Sequence, residues 1–448
     1  MRRRYRPLPR SAPRTLGERP REVRRETLPN GLALILCPTP ELRQAYVALY
    51  FGVGSRHEDA AQNGVSHALE HMLFRGSARF ADATRMNAAA EDLGGFLEGA
   101  TYRDHLMFAT GCHPGAITDA VSILADLVQT PRYRAMEVER GILREELLEG
   151  LDADGHMVDL DNLHHRSAFG TRGLGMPIEG SLANLEALDR AALDDHRRRY
   201  LVAQNAVLSI SGPMDADALR LHAIRELSSL PPGEPVLTSV SASAHGTPLV
   251  HFVRDTGSQV DIRMSFRSVP MHDRLYPALV LLARLLADGL ASRMHAELVD
   301  RRGLAYALNA GLTTYADCGL FDFEVSVAPD RAAELTEAIL EFASTAERFR
   351  YSRDELARTR RRYRYGMEFM SDSPADLASW YGRAALFGVE TQTDALGRAI
   401  ERIGGDAIRA AARSLFRPES LVLTAVGELV RGEWQRVRRA VEQWAQGR

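Results

Sequence analysis

The chain has 448 residues, 56 basic against 59 acidic, and a formal net charge of −3; every basic residue is arginine. That length suits two to four domains, and 45% apolar with 26% charged content is the composition of a globular protein. The near-even charge excludes the strongly basic surface that nucleic acid or an anionic membrane selects, and Cys37, Cys112 and Cys318 are too scattered for a disulfide framework or a CxxC metal pair.

In chain order, residues 1–24 open with "MRRRYRPLPRSAPRTLGERP", basic and without an apolar run. No secretory signal is expected from it, and Pro7, Pro9 and Pro13 break the amphipathic helix of an organellar presequence. It reads as a disordered basic tail. With no stretch near the ~18 apolar residues of a membrane span, and arginine alone as base, a cytoplasmic bacterial protein is expected. A first domain follows over 25–228, a Ser/Pro/Gly-rich linker over 229–247, and a second domain over 248–448. The halves echo one another. "AYVALYFGVGS" and "VDIRMSFRSVP" are strands near their starts, each expected to lead into a long helix. Each half ends as a Val/Leu-rich strand, a Gly turn and an amphipathic helix: "YLVAQNAVLSISGPMDADALRLHAIREL" and "LFRPESLVLTAVGELVRGEWQRVRRAVEQW". The spacing predicts a duplicated α+β unit, each sheet backed by helices. "RTRRRYRYGMEF", residues 358–369, reads as a charged helix face rather than an RNA contact.

Within the first domain, "GVSHALEHMLFRGS" places His67 and His71 four apart, with Glu70 just before the second. Four residues is close to one helical turn, so both imidazoles and the carboxylate share a face. A hydrolytic zinc takes three protein ligands and keeps one position open. Two histidines therefore call for a third ligand elsewhere, and "MEVERGILREELLEG", residues 136–150, is a helical stretch dense in glutamate.

HxxEH is the zincin HExxH read backwards. With Glu146 falling 75 residues after His71, the pattern resembles the inverzincins of the pitrilysin and mitochondrial processing peptidase family. "LPNGLALILCPTP", "FGVGSRHEDAAQNGVSHALEHMLFRGS", "DNLHHRSAFGTRGLGMPIEGS" and "SRMHAELVDRRGLAYAL" extend the resemblance over nearly the whole chain. It implies two homologous α+β domains with antiparallel-rich sheets, forming half of a clamshell chamber. It also implies one zinc per chain held by His67, His71 and Glu146, with Glu70 as general base and Glu139 as a supporting carboxylate. The helix bearing His164 and His165 is similar to a structural one in that family.

Two departures stand out. The family's second domain carries an arginine seven residues before the tyrosine of its GLAY block; Tyr306 is present, but Val299 holds the arginine position. The family's edge-strand pattern GGxxNAxT reads here Gly94, Gly95, Phe96, Leu97, Glu98, Gly99, Ala100, Thr101, with Glu98 for the asparagine. Glu98, Gly99 and Ala100 are expected to receive a peptide by strand addition, and Tyr306 to meet it from the second domain. The expected function is a zinc metalloendopeptidase, the catalytic subunit of a heterodimer whose homologous partner supplies the Arg/Tyr pair; a homodimer is the other arrangement. A non-catalytic scaffold or partner subunit is the alternative, disfavoured by the intact HxxEH and Glu146.

Overall fold

The computed structural model describes residues 23–236, 246–389 and 392–447. The expected basic tail, but for its last two residues, and the linker stretch 237–245 lie outside the described residues. Val23 leads into the first strand and Arg24 begins it. The opening of the linker docks on the first half: Leu230 is buried, and Ala203 N donates to Pro231 O.

The first half holds β1 (Arg24–Thr27), β2 (Ala33–Pro38), β3 (Ala45–Phe51), β4 (Leu97–Thr101), β5 (Leu106–Cys112) and β6 (Ala206–Gly212). They form one sheet in the order β1-β2-β6-β3-β5-β4. The second half holds β7 (Leu249–Arg254), β8 (Val260–Ser268), β9 (Ala305–Thr314), β10 (Gly319–Val327) and β11 (Leu421–Gly427), in the order β7-β11-β8-β10-β9. Without β1 the two orders coincide strand for strand. The single parallel pair is equivalent too, β2–β6 in one half and β7–β11 in the other. So are the glycines that close β6 and β11: Gly212 and Gly427 have φ of +143° and +142°, a region that L side chains avoid. A Cβ on Gly212 would also lie 2.5 Å from Ala45 Cβ.

β3, β6 and β11 are buried at every residue, which is why they read as apolar runs rather than alternating ones. One face of the first sheet packs on helices Ile117–Gln129 and Ala216–Leu227. Its other face is covered by a helix from the second half, Pro374–Leu386, whose Leu377, Ala378 and Tyr381 pack on Ile35, Ala48, Tyr50 and Val207. The exchange is mutual. Helix Leu160–Phe169 of the first half lays Ala168 and Phe169 against Tyr315, Leu320 and Val422 of the second. Between the halves run Arg56 to Asp317 and a chain from Arg103 through Asp161 and Arg263 to Asp322.

One expectation needs correcting. The helix after β3 is not long: Val65–Leu73 has nine residues, against twelve for Tyr276–Ala287 after β8. Gly64 and Gly76, with φ of +100° and +115°, turn the chain on either side of it. The arginines of 358–369 do line a charged helix face, Arg362 pairing with Asp288 and Arg364 with Glu368. No helix among the described residues is long and apolar enough to cross a membrane.

Candidate metal centre

Helix Val65–Leu73 starts without a side-chain cap of the usual kind. The buried carboxylate of Glu58 does that work from outside. It accepts from Gly64 N at 2.7 Å, Ser66 N at 2.7 Å and Asn63 Nδ2 at 2.8 Å. Amide groups that the first turn leaves unpaired thereby gain an anion at the positive end of the helix dipole. A Cβ on Gly64 would sit 2.6 Å from Glu179 O, so the entry to the helix is tight as well as left-handed.

The helix then presents His67 and His71 one turn apart, ring centroids 4.6 Å from each other and planes at 82°. Helix Met136–Glu149 brings Glu146 to both: its Oε1 lies 3.5 Å from His67 Nε2 and its Oε2 3.6 Å from His71 Nε2. The donor atoms of the three all lie within 4.8 Å of one another. Two turns earlier on the same helix, buried Glu139 takes His71 Nδ1 at 2.8 Å, while its other oxygen accepts from Arg75. Such a carboxylate fixes the ring tautomer and leaves Nε2 as the free lone pair.

The electrostatics suit a cation. Burial, helped by the neighbouring His71, pushes His67 down to about 4, so its ring is neutral and able to ligate at pH 7. Burial acts the same way on His71 but is outweighed by the Glu139 bond and by Glu70, Glu139 and Glu146, which raise it. Burial raises Glu70, with the charges of Glu146 and Glu139 adding to it against His71 and a hydrogen bond from Thr101. Burial likewise raises Glu146. Two neutral-capable imidazoles and a crowd of carboxylates form a donor set for a borderline divalent ion such as zinc.

Glu70 is buried beside the ligands, its Oε2 accepting from Thr101 Oγ1 at 3.1 Å. Gly99 lies flat against it: a Cβ there would be 2.4 Å from Glu70 Oε1. Both Gly99 and Thr101 belong to β4, the outermost strand of its sheet among the described residues, with only β5 beside it. Glu98 and Ala100 alternate to the opposite face, where Glu98 Oε2 accepts from Tyr46 OH at 2.8 Å.

Among the described residues no hydrogen bond or ion pair joins a second-domain side chain to His67, Glu70, His71 or Glu146. Tyr306 is the second residue of β9 and is 93% exposed. Val299 sits in the helical turn His295–Arg301. The neighbouring arginines do not stand in for the missing one, since Arg301 pairs with Glu297 and Arg302 with Glu334. His164 and His165 tie the halves together: His164 Nδ1 meets Thr424 Oγ1 at 3.0 Å, and His165 Nε2 meets Tyr315 OH at 2.8 Å. Sequence reasoning missed Glu58, Arg75 and Thr101 as partners of the site. Only Thr101 had a signal, as the last residue of the edge-strand pattern.

Comparison with known proteins places the chain in a family. The family model described as insulinase, peptidase family M16, matches residues 35–181, and the one described as peptidase M16 inactive domain matches residues 187–363. An uncharacterized zinc protease of Mycobacterium leprae is 30% identical over 338 residues, covering 71% of this chain and 72% of that protein. A probable mitochondrial-processing peptidase subunit beta of Arabidopsis thaliana is 24% identical, covering 91% and 79%. The crystal structure of a protease from Helicobacter pylori superposes with a TM-score of 0.83 at 16% identity, over 91% of this chain and 99% of that one. Two consecutive domain models and a relative of this identity along most of its length give one assignment: the chain belongs to peptidase family M16.

Proposed function

We propose that this chain is a zinc metalloendopeptidase that cleaves peptides or short unfolded segments, and that it is the catalytic member of a pair of homologous chains. The observation that carries the reading is the meeting of His67, His71 and Glu146 beside Glu70, at the open edge of β4. Relatives named as zinc proteases support zinc as the metal. Zinc bound by those three side chains would polarise the scissile carbonyl and make a water molecule more acidic.

The chain's own residues do the rest. A peptide running along β4 is held through its main chain, which places one of its carbonyls near Glu70. Glu70 takes the proton of the attacking water and returns it to the leaving amine. Burial has already raised its proton affinity, and Thr101 and Gly99 fix where its carboxylate points. Glu139 and Arg75 keep His71 from rotating away.

The substrate half of this site is incomplete. Val299 cannot donate to a peptide carbonyl, and an unpaired buried carbonyl costs about 1–3 kcal/mol. A homologous partner supplying an arginine completes it. The test is to purify the chain, count its zinc and assay peptide hydrolysis alone and with candidate partner chains. The reading expects one zinc per chain, lost in Glu146→Gln, and chelator-sensitive cleavage that needs the partner. Full activity of the chain alone would reject the pairing. Zinc retained with full activity in Glu146→Gln would reject the ligand set.

A further inference from the structure

We infer that Arg383, on the helix that the second half lends to the first sheet, forms with Tyr102 a carboxylate-binding subsite, which makes this chain prefer peptides bearing an anionic group a few residues from the scissile bond. The inference rests on the peptidase reading and adds a substrate class to it.

Ser379, Arg383 and Phe387 follow one another at intervals of four along helix Pro374–Leu386 and its C-terminal cap, so they share one face. Both neighbours of Arg383 on that row reach the first half. Ser379 Oγ accepts from Tyr50 OH at 3.2 Å, and Phe387 meets the His105 ring edge-on, centroids 5.6 Å apart and planes at 84°. Gly382 lies flat on Tyr50, where a Cβ would come 2.6 Å from Cε2. Arg383 therefore stands over the first sheet between Tyr50 and His105. Its charge is felt by both: burial raises the Tyr50 hydroxyl and lowers His105, and Arg383 opposes the first effect and adds to the second. Arg383 is itself exposed, with no hydrogen-bond or ion-pair partner among the described residues.

His105 links this row to the edge strand. Asp104 holds its Nδ1 at 2.7 Å, and Tyr102 stacks on its ring, centroids 4.2 Å apart and planes within 8°. Tyr102 directly follows Thr101, the last residue of β4, whose hydroxyl donates to Glu70. At 43% exposure, its ring is fixed by the stack while its outer side stays open. A peptide strand added along β4 passes this point about 4.8 Å away. Strand residues advance about 3.3 Å each, so the peptide group beside Tyr102 and Arg383 falls about two to four residues from the carbonyl at Glu70. A guanidinium fork and a phenol hydroxyl are both donors, and a carboxylate accepts from both, bidentately from the arginine. An acidic side chain or the C-terminus of the peptide can supply that carboxylate.

The probes are fluorescently labelled peptides of neutral sequence. One set carries a single glutamate at successive positions with glutamine as reference; the other, in a series of lengths, carries a free or an amidated C-terminus. Binding is read by anisotropy on the Glu70→Gln variant, and hydrolysis on the active assembly. Glutamate at one position, or the free terminus at one length, should bind and be cleaved about three- to tenfold better than its neutral counterpart. The first result assigns the subsite to acidic side chains and the second to chain ends. Arg383→Gln should bring the favoured ratio close to one, Arg383→Glu should invert it, and Tyr102→Phe should lower it part of the way, with zinc content and far-ultraviolet circular dichroism kept in all three. Hydrolysis without preference for either carboxylate, or a preference unchanged in Arg383→Gln, overturns the subsite and leaves the peptidase reading standing. An Arg383-dependent preference in binding with no hydrolysis by the zinc-loaded assembly keeps the subsite and overturns the peptidase reading.

Discussion

A Cβ on Gly99 would meet Glu70 Oε1 at 2.4 Å and Phe74 Cε2 at 2.6 Å, so the absence of a side chain here keeps β4 close to the proposed base. Gly99→Ala should displace either the strand or the carboxylate by a fraction of an ångström to an ångström. Misplacements of that size cost up to about a hundredfold in rate. Turnover is expected to fall at least tenfold while zinc content and far-ultraviolet circular dichroism stay at wild-type values; unchanged turnover would mean that Glu70 does not need its contact with the strand. At this scale the sequence was most legible where chemistry is local. His67, Glu70 and His71 follow from helical spacing alone, and the place of Glu146 followed only from resemblance, since no rule of spacing links residues 75 apart. Glu139 was foreseen, but its clamp Arg75 was not, because an arginine one turn beyond a histidine has many uses.

The helix Val65–Leu73 owes its start to Glu58, six residues before Gly64. A cap usually sits next to the first turn, so this one leaves no mark in the sequence and emerges only when the loop 58–64 folds back. Replacing Glu58 by alanine leaves Gly64 N, Ser66 N and Asn63 Nδ2 without their acceptor. At about 1–3 kcal/mol for each buried group left unpaired, the variant should lose several kcal/mol in urea unfolding and bind zinc more weakly, because His67 rides on the frayed turn. A loss below about 1 kcal/mol would mean that water replaces the carboxylate. The strands were legible in another way. Both Val/Leu-rich strands that close the halves stand where their sequence placed them, and their terminal glycines share one backbone conformation. The short helix was misjudged because a nine-residue element leaves little periodicity to read.

Taken whole, the molecule is two copies of one sheet order, each lending a helix to the other's face. The duplication could be read from the echoing ends, whereas the exchanged helices could not: nothing in an amphipathic pattern says which sheet it will cover. The interior they close carries several imidazoles held neutral. Burial lowers His57 to about 4 and His196 to about 3, and also lowers His105 and His164. In the unfolded chain these rings protonate near ~6.5. Above that pH both states are neutral and stability is unaffected; below it the unfolded chain takes up protons that the fold refuses, and stability is lost until the folded pKa is reached. Each ring then costs up to ~1.4 kcal/mol per pH unit. The metal-free protein should be several kcal/mol less stable at pH 5 than at pH 7 in urea unfolding, and equal stabilities would mean that these rings are protonated in the fold. The central claim is that this architecture holds one proton acceptor beside one metal. The most direct measurement of it is the peptide turnover of zinc-loaded Glu70→Gln against wild type, with the zinc counted in both. Loss of general-base catalysis costs about 10²–10⁴ in rate, so the account predicts a fall of at least a hundredfold with one zinc per chain retained; turnover within tenfold of wild type at full zinc occupancy would contradict it.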